Sequence, residues 1–247
     1  MRAIVCGANG AMGKLISQRL GENQVGAVSI DGENGASKTF QELGDRQADV
    51  IIDFSNAKAV DDLLVYSVDK QIPVVLCTTG LSEEQLKKVD EASKKVAVLK
   101  SANMSLGINM LMELLKQAAI ILAPAGFDME IVEKHHNQKL DAPSGTALAL
   151  ADSMNEALDN AYTYTYDRSK ERKKREKTEI GISAVRGGSI VGEHEVIFAG
   201  LDEVIEFKHT AYSRSVFAKG AVQAAKFLSG KPAGFYDMGD VIKATIA

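Results

Sequence analysis

The chain has 247 residues, 45% of them hydrophobic and 25% charged, and its formal net charge at pH 7 is -4. This composition is typical of a globular protein of one or two domains, and it excludes a disordered or collagen-like chain. No apolar run approaches the roughly 20 residues that cross a bilayer, and the negative net charge argues against nucleic acid as a partner. With no signal-peptide pattern and only two cysteines, we expect a cytoplasmic protein without disulfide bonds or membrane contact.

Five short apolar segments in the first hundred residues predict β-strands. They are uniformly apolar rather than alternating, which is typical of strands in a parallel sheet that is covered on both faces. Helical segments separate them, so we predict an α/β fold with a Rossmann-type, doubly wound parallel sheet and right-handed crossovers. The predicted strands are 2–6, 25–30, 50–54, 73–77 and 96–99.

A glycine-rich turn follows the first predicted strand. Its residues are Gly7, Ala8, Asn9, Gly10, Ala11, Met12 and Gly13. Glycines allow the backbone to approach a pyrophosphate, and the N-terminus of the following helix stabilises the negative charge. The Gly-x-x-Gly-x-x-Gly spacing differs from the commoner Gly-x-Gly-x-x-Gly, and glycines also serve ordinary turns. Because a strand precedes the turn and a helix follows it, we predict dinucleotide binding.

An acidic residue lies roughly 20 residues beyond this turn, at the end of the second predicted strand. Asp31 has the spacing of the carboxylate that binds the adenosine ribose, although a simple strand-end cap is the alternative. A carboxylate repels a 2′-phosphate, and Gly32 and Glu33 supply no compensating arginine. We therefore predict that NADH binds at least as well as NADPH, with Lys38 as the residue that could weaken this preference.

The two cysteines lie at the ends of the first and fourth predicted strands. We expect these strands to be neighbours in the sheet, which would bring Cys6 near Cys77. We interpret both as buried, unreactive thiols, and a redox pair is the alternative.

The pattern changes after Asn103. A long apolar helix is predicted at 108–123, a strand at 127–134, a helix from Ser144 and three strands between Glu179 and Thr210. This order predicts a second, α+β domain with an open mixed sheet. We assign residues 1–104 and about 216–247 to the dinucleotide-binding domain, and residues 105–215 to a domain for substrate binding and oligomerisation.

One segment departs from the acidic balance of the chain. Arg168–Lys177 contains seven basic and two acidic residues. A solvated loop is the simplest interpretation. Attraction of an anionic substrate or of cofactor phosphates is an alternative, and contact with nucleic acid is a weaker one.

The segment from Glu133 to Thr146 has the highest density of reactive side chains. It brings together His135, His136, Lys139 and Asp141, with a helix start at Ser144. Histidine exchanges protons near neutral pH, and a lysine beside a helix N-terminus binds a carboxylate. We consider acid catalysis with carboxylate binding, a solvated structural loop, and a metal site of the two histidines and Asp141. Adjacent histidines on an extended backbone point apart, which disfavours the metal site.

Several motifs, in order along nearly the whole chain, resemble one known family. They are the glycine turn ending in Ala-Met-Gly, Cys-Thr-Thr-Gly at 77–80, Ser-Ala-Asn-Met-Ser at 101–105, Glu-x-His-His-x-x-Lys-x-Asp-x-Pro-Ser-Gly-Thr-Ala at 133–147, and the segments 183–196 and 217–221. The chain resembles the 4-hydroxy-tetrahydrodipicolinate reductases, also called dihydrodipicolinate reductases, of lysine and diaminopimelate synthesis. Many members have glycine where this chain has Cys77, which could change how closely a cofactor approaches that strand end.

The resemblance implies that NADH or NADPH reduces 4-hydroxy-tetrahydrodipicolinate, a small cyclic dicarboxylate, to tetrahydrodipicolinate with loss of water. It implies that His135 donates a proton and that Lys139 is a second donor or its electrostatic partner. The implied cofactor contacts are Gly7, Ala8, Asn9, Gly10, Ala11 and Met12 at the pyrophosphate, Asp31 at the ribose, and Cys77, Thr78, Thr79, Ser101, Ala102, Asn103 and Met104 at the nicotinamide. The implied carboxylate contacts are His136, Ser144, Gly145 and Thr146.

From the residues we predict no metal site, and the resemblance implies a homotetramer that forms through the sheet of the second domain. Two alternatives differ in activity. One is another two-domain reductase with a different acceptor, and the other is a protein that senses NAD(H) without turnover.

Overall fold

The computed structural model describes residues 1–101, 103–166, 168–170 and 172–246. The chain divides into two compact units, Met1–Leu106 with Ser215–Ala247, and Gly107–Arg214. The helices and strands, numbered in chain order, are β1 (Ala3–Cys6), α1 (Ala11–Leu20), β2 (Gln24–Val28), α2 (Phe40–Leu43), β3 (Val50–Asp53), α3 (Val60–Lys70), β4 (Val74–Leu76), α4 (Glu83–Ser93), β5 (Ala97–Lys100), α5 (Leu106–Leu122), β6 (Asp128–His135), α6 (Gly145–Glu156), β7 (Thr163–Thr165), β8 (Glu179–Arg186), β9 (Gly192–Ala199), β10 (Val204–Ala211), α7 (Ser215–Leu228), β11 (Gly234–Tyr236) and α8 (Met238–Ile246).

The first unit is built on a six-stranded parallel sheet with the order β11-β5-β4-β3-β1-β2. Ile4 and Ile51 pack with α3 and α4 on one face, and Val5 and Ile52 pack with α1 and α7 on the other. Full burial stabilises each such side chain by about 2 kcal/mol. Strands covered on both faces must be apolar throughout, and the predicted doubly wound α/β sheet is confirmed.

The prediction that Cys6 and Cys77 lie at the ends of neighbouring strands is wrong. β3 lies between β1 and β4, so its last residue, Asp53, separates Cys6 from the residue after β4, Cys77. Apolar strands of similar length leave the strand order undetermined, because any of them could occupy the centre of the sheet.

The second strand is shorter than predicted and ends at Val28 rather than Ile30. Its pairing with β1 ends where the Val28 carbonyl accepts the N–H groups of Gly7 (2.9 Å) and Ala8 (3.2 Å). The chain then turns, and Ile30 is 86% exposed. Asp31 therefore lies in the turn after the strand and not at its end.

The second unit contains a mixed sheet with the order β10-β9-β6-β8-β7. The central strand β6 pairs in parallel with β8 and antiparallel with β9. Alternate residues of β6 are buried, and Met129 and Ile131 pack against α5 and α6. This strand is therefore covered on one face only, and the predicted α+β architecture with a mixed sheet is confirmed.

Part of the basic segment is ion-paired with this sheet. Arg175 pairs with Asp128 (2.8 Å) and Glu130 (3.0 Å), and Arg168 pairs with Glu130 and Glu179. Two of the charges predicted to be solvated thus neutralise strand carboxylates. Asp167 and Glu171 lie outside the described residues.

The longest helix of the described chain, α5, has 17 residues. None of the helices in the part of the chain that the structure describes combines the length and apolar character needed to span a membrane.

Candidate active site

The glycine turn connects β1 to α1 at the carboxyl edge of the parallel sheet. Gly7 has a φ of +75°, and a Cβ there would lie 2.4 Å from the carbonyl oxygen of Phe54. A Cβ on Gly13, in the first turn of α1, would lie 2.1 Å from the carbonyl oxygen of Gly7. The backbone itself requires both glycines, because any side chain would displace the turn or the helix.

The N-terminus of α1 has hydrogen-bond donors that can serve a ligand. Gly10 is the N-cap residue and supplies no side-chain acceptor to the first turn, which contains Ala11 and Met12. The N–H groups of such a turn, together with the helix dipole, favour an anionic phosphate. Ala8 is buried and Met12 packs against the core, so these contacts fix the position of the turn.

The turn after β2 presents an ionised carboxylate. Asp31 Oδ1 accepts hydrogen bonds from Asn9 Nδ2 (2.5 Å) and the Glu33 N–H (3.2 Å). The bond from Asn9, and then that from Glu33, lowers the pKa of Asp31. The stem of Lys38 lies over Gly32, where a Cβ would come within 2.8 Å of Cε. A carboxylate and a lysine therefore flank the same turn.

Asp53 holds together the loops that follow β3 and β4. Its buried side chain accepts hydrogen bonds from Ser55 Oγ (2.5 Å) and Thr78 Oγ1 (2.6 Å), and its carbonyl accepts the Cys77 N–H (2.9 Å). Burial raises the pKa of Asp53, and these hydroxyl donors partly offset the effect. The Thr78 hydroxyl is thus engaged by the protein, whereas Thr79 is exposed.

Both thiols beside Asp53 resist ionisation. Burial, and then the negative charge of Asp53, raises the pKa of Cys6 and of Cys77 well above the ordinary value. Because the thiolate is the reactive form, neither residue has the environment of a redox cysteine.

The segment after β5 is held against α7. Asn103 Oδ1 accepts the Ser105 N–H (2.8 Å), and the Met104 carbonyl approaches Gly220 so closely that a Cβ there would lie 1.6 Å away. Ser101 begins this segment, and Ala102 lies outside the described residues. The close approach to a helix glycine fixes the course of the backbone after β5.

In the second unit, one end of the sheet carries a polar cluster on its covered face. Glu133 and His135 are two residues apart on β6 and therefore point to the same side. The strand register places His194 of β9 opposite Glu133, and Arg186 of β8 opposite His135. Three neighbouring strands thus bring together four polar side chains from distant parts of the chain.

Glu133 is the centre of this cluster and is fully buried. It accepts two hydrogen bonds from Arg186 (2.7 and 2.8 Å), one from the Ser144 N–H (3.0 Å) and one from His135 Nδ1 (2.6 Å). Burial alone would raise the pKa of Glu133, but the bonds from Arg186 and His135 outweigh burial and lower it. The carboxylate is therefore ionised, and because it can only accept, Nδ1 of His135 carries a proton.

His135 is 8% exposed, and its Nε2 is directed away from Glu133. A Cβ on Gly192 would lie 3.2 Å from this nitrogen, so the glycine leaves space around it. Burial lowers the pKa of His135, Glu133 opposes that effect, and Lys139 and Arg186 add to it. The imidazole is neutral near pH 7 unless additional negative charge comes close.

The start of α6 lies directly beside this cluster. Ser144 is the N-cap residue, and its Oγ accepts the Ala147 N–H (3.2 Å) and is hydrogen-bonded to His194 Nε2 (3.1 Å). Ser144 is only 1% exposed. Because the Ser144 hydroxyl is buried and already hydrogen-bonded within the protein, little of it is accessible to a substrate. Gly145 is exposed and Thr146 is partly exposed.

A carboxylate already lies between the catalytic lysine candidate and this helix. Lys139 Nζ is 2.8 Å from Asp141 Oδ1. The bond from Lys139 lowers the pKa of Asp141, and the Gly145 N–H bonds to the same carboxylate. The backbone carbonyl of His136 accepts a hydrogen bond from the Lys139 N–H (3.2 Å), which closes a turn in the loop. Lys139 is therefore paired with a carboxylate of its own loop.

The segment from Glu133 to Thr146, which the sequence analysis singled out, contains only some of the side chains of this cluster. Glu133 could have been assigned from the two-residue period of β6, but Arg186 and His194 carry no local signal because strand pairing alone brings them close. Among the described residues, no group of three or more His, Cys, Asp and Glu side chains has the arrangement of a metal site.

A parallel sheet with a glycine turn, followed by a second unit that carries a buried glutamate–histidine pair and a lysine on the next loop, is the arrangement of a two-domain, nicotinamide-dependent oxidoreductase. The family described as dihydrodipicolinate reductase matches residues 1–104 with its N-terminal part and residues 107–242 with its C-terminal part. The chain belongs to the dihydrodipicolinate reductase family, and it uses NAD(P)H.

Individual relatives agree with this assignment. The chain is 50% identical to the 4-hydroxy-tetrahydrodipicolinate reductases of Caldanaerobacter subterraneus subsp. tengcongensis and of Clostridium novyi, and each alignment covers 98% of both chains. The fold matches that of a dipicolinate-bound dihydrodipicolinate reductase from Paenisporosarcina sp. TG-14, with a TM-score of 0.76 and 21% identity over 96% of this chain and 97% of that one.

Proposed function

We propose that this reductase converts 4-hydroxy-tetrahydrodipicolinate to tetrahydrodipicolinate, with loss of water, in lysine and diaminopimelate synthesis. The observation that carries the proposal is the buried Glu133–His135 pair beside Lys139 and the N-terminus of α6. A buried proton donor next to two anion-binding groups suits a small dicarboxylate. The names of the relatives at 50% identity support this acceptor, as does the dipicolinate in the Paenisporosarcina reductase.

The glycine turn of the first unit would hold the pyrophosphate of the cofactor. The main chain of Gly7 to Met12 would approach the phosphates, with Asn9 holding Asp31 toward the adenosine ribose. The loops at 77–79 and 101–104 would line the nicotinamide side. Bound NAD(P)H supplies the hydride for the reaction.

The cofactor preference follows from the charges on the turn after β2. The ionised Asp31 favours two ribose hydroxyls and repels a 2′-phosphate, while Lys38 on the same turn offsets part of that repulsion. Both cofactors are therefore used, and NADH binds at least as well as NADPH.

His135 acts as the proton donor through Nε2, because Nδ1 is occupied by Glu133. Burial keeps the free imidazole neutral, but a dicarboxylate brings negative charge that favours the imidazolium. Substrate binding and uptake of the catalytic proton are thus coupled. Lys139 is either a second donor or the charge that orients the substrate.

The carboxylate site consists of Lys139, His136 and the first turn of α6. The ion pair of Lys139 with Asp141 supports this site, because a substrate carboxylate would replace that of Asp141 at Nζ. The exposed Gly145 and the adjacent Thr146 provide donors of the helix N-terminus. Ser144 contributes by capping the helix rather than by a free hydroxyl.

We also propose a homotetramer that forms through the open face of the mixed sheet. Val185 and Val204 lie on the face opposite α5 and α6 and are 45% and 56% exposed. These two valines are single exposed side chains at opposite ends of that face, so the family resemblance rather than an apolar patch supports this interface. Analytical ultracentrifugation of the full chain would give a tetrameric mass, whereas a monomeric mass at micromolar concentration would contradict this assembly.

The activity is tested by following NADH absorbance while the preceding synthase forms the substrate from pyruvate and aspartate semialdehyde. We expect turnover, and His135→Gln should lower kcat by about two orders of magnitude, the range of general acid catalysis. Lys134→Gln, on the other face of β6 and paired with Glu193, is the control and should retain activity. Tight NADH binding without turnover would instead indicate a sensor of NAD(H).

A further inference from the structure

Glu133 binds more groups than the orientation of one imidazole requires. It connects His135, the N-cap backbone of α6 at Ser144, and both terminal nitrogens of Arg186. Arg186 also donates to the carbonyl of Asp141 (2.6 Å), the residue whose carboxylate contacts Lys139. The ion pair of the buried Glu133 with the partly buried Arg186 therefore links the proton donor, the helix N-terminus and the lysine loop.

The geometry at Glu133 selects the tautomer of His135. Since an ionised carboxylate cannot donate, the 2.6 Å contact requires a proton on Nδ1. Nε2 then faces the space that Gly192 leaves open. A histidine in the opposite tautomer would place its neutral N–H at Nε2 and leave Glu133 opposed by a lone pair, which the buried site disfavours.

The charges that face this imidazole come from every element packed around it. Glu133 on β6 is negative, Arg186 on β8 and Lys139 on the following loop are positive, and His194 on β9 lies edge-on with its ring centroid 5.1 Å away. Burial lowers the pKa of His194 to about 4, so this ring is uncharged near neutral pH. The positive charge of Arg186, which is bound to both oxygens of Glu133, opposes the effect of Glu133 on His135 and is the smaller of the two effects.

We propose that Glu133 and Arg186 form a positioning pair, in which Glu133 orients His135 through Nδ1 and Arg186 limits the negative charge that reaches it, so that together they set the pH above which the enzyme loses its acid. The proposal rests on the proposed function of His135 as proton donor. Neither residue of the pair needs to touch the substrate.

The pair makes two predictions of opposite sign. After Arg186→Gln, His135 and the Ser144 N–H still bind the Glu133 carboxylate, and its effect on the imidazole is no longer opposed by Arg186, so the alkaline limb of kcat should move up by a fraction of a pH unit or so. Removing the negative charge with Glu133→Gln should move the limb down further, by about one pH unit, because the effect of Glu133 on His135 is the larger one. Because the acid fraction falls tenfold per pH unit above its pKa, Glu133→Gln should lower kcat about tenfold on that limb. Damage to folding alone would not shift the two profiles in opposite directions.

The experiment measures kcat against pH for the wild type and both variants, and titrates the His135 ring by 15N NMR. Lys134→Gln is the matched control, because Lys134 is adjacent in sequence but lies on the other face of β6, paired with Glu193. It should shift neither profile. If one single variant does not fold, the double variant Glu133→Gln, Arg186→Gln removes both charges together, and its alkaline limb should lie closer to the wild-type limb than that of the single variant that folds.

The outcomes separate this proposal from the proposed function. Opposite shifts in both measurements, with Nδ1 protonated in the wild type, support the pair. An Nε2–H tautomer, or a His135 pKa unchanged by Arg186→Gln, would overturn it. If His135 titrates as expected while kcat follows another group, the assignment of His135 as donor fails and the pair loses its role in the pH profile, although the orientation of the ring by Glu133 stands.

Discussion

Replacing Ser144 with alanine should destabilise the second unit more than the loss of an ordinary helix cap. Loss of the bond from the Ala147 N–H costs about 1 kcal/mol. The change also removes the partner of His194 Nε2, while the other ring nitrogen, Nδ1, is buried without a partner among the described residues. Leaving a buried ring nitrogen unsatisfied costs a further 1–2 kcal/mol or so. The free energy of unfolding should therefore fall by about 2–3 kcal/mol.

The assay is urea unfolding of the wild type and variant, followed by circular dichroism at matched protein concentration. Ser82→Ala is the control, because Ser82 caps α4 in a capping box on an exposed site and bonds to no buried ring. It should cost about 1 kcal/mol. An equal loss for Ser144→Ala and Ser82→Ala would show that the bond to His194 does not stabilise the protein, and that the reasoning about this cluster is wrong.

Three further predictions concern the charged groups of the two units. Asp31→Ser should raise kcat/KM for NADPH relative to NADH by roughly tenfold, because the carboxylate that repels the 2′-phosphate is lost. An unchanged ratio in the coupled assay would contradict the contact of Asp31 with the adenosine ribose. Lys139→Ala should lower kcat/KM about a hundredfold while the Kd for NADH, measured by fluorescence, stays the same; a weakened NADH complex would contradict its place in the substrate site. Acidification from pH 6.5 toward 4 should reduce the free energy of unfolding. The reason is that His194 in the unfolded chain binds a proton near pH 6.5, whereas the folded ring is protonated only near pH 4. A free energy of unfolding that stays constant over this range in urea titrations would contradict the buried neutral ring.

The sequence by itself determined the features that depend on neighbours along the chain. Uniformly apolar strands separated by helices predicted the parallel sheet, because the side chains that bury both faces lie within each segment. The glycine turn was recognisable because its three glycines lie within seven residues between a predicted strand and a predicted helix, and Gly13 is required by contact with the backbone of Gly7 in the same turn. The motif from Glu133 to Thr146 identified the family, and the matches over 1–104 and 107–242 confirmed it.

The tertiary structure decided what depends on strand pairing. The insertion of β3 between β1 and β4 separated the two cysteines, and the register of β8 and β9 on β6 brought Arg186 and His194 to Glu133. It also engaged the Ser144 hydroxyl inside the protein and placed Asp141 at Lys139. Glu133 and Arg186 are 53 positions apart and Ser144 and His194 are 50 apart, and the other contacts depend on which lone pair is already used. A pattern along one strand contains neither kind of information, because hydrogen-bond partners are chosen only when the strands come together.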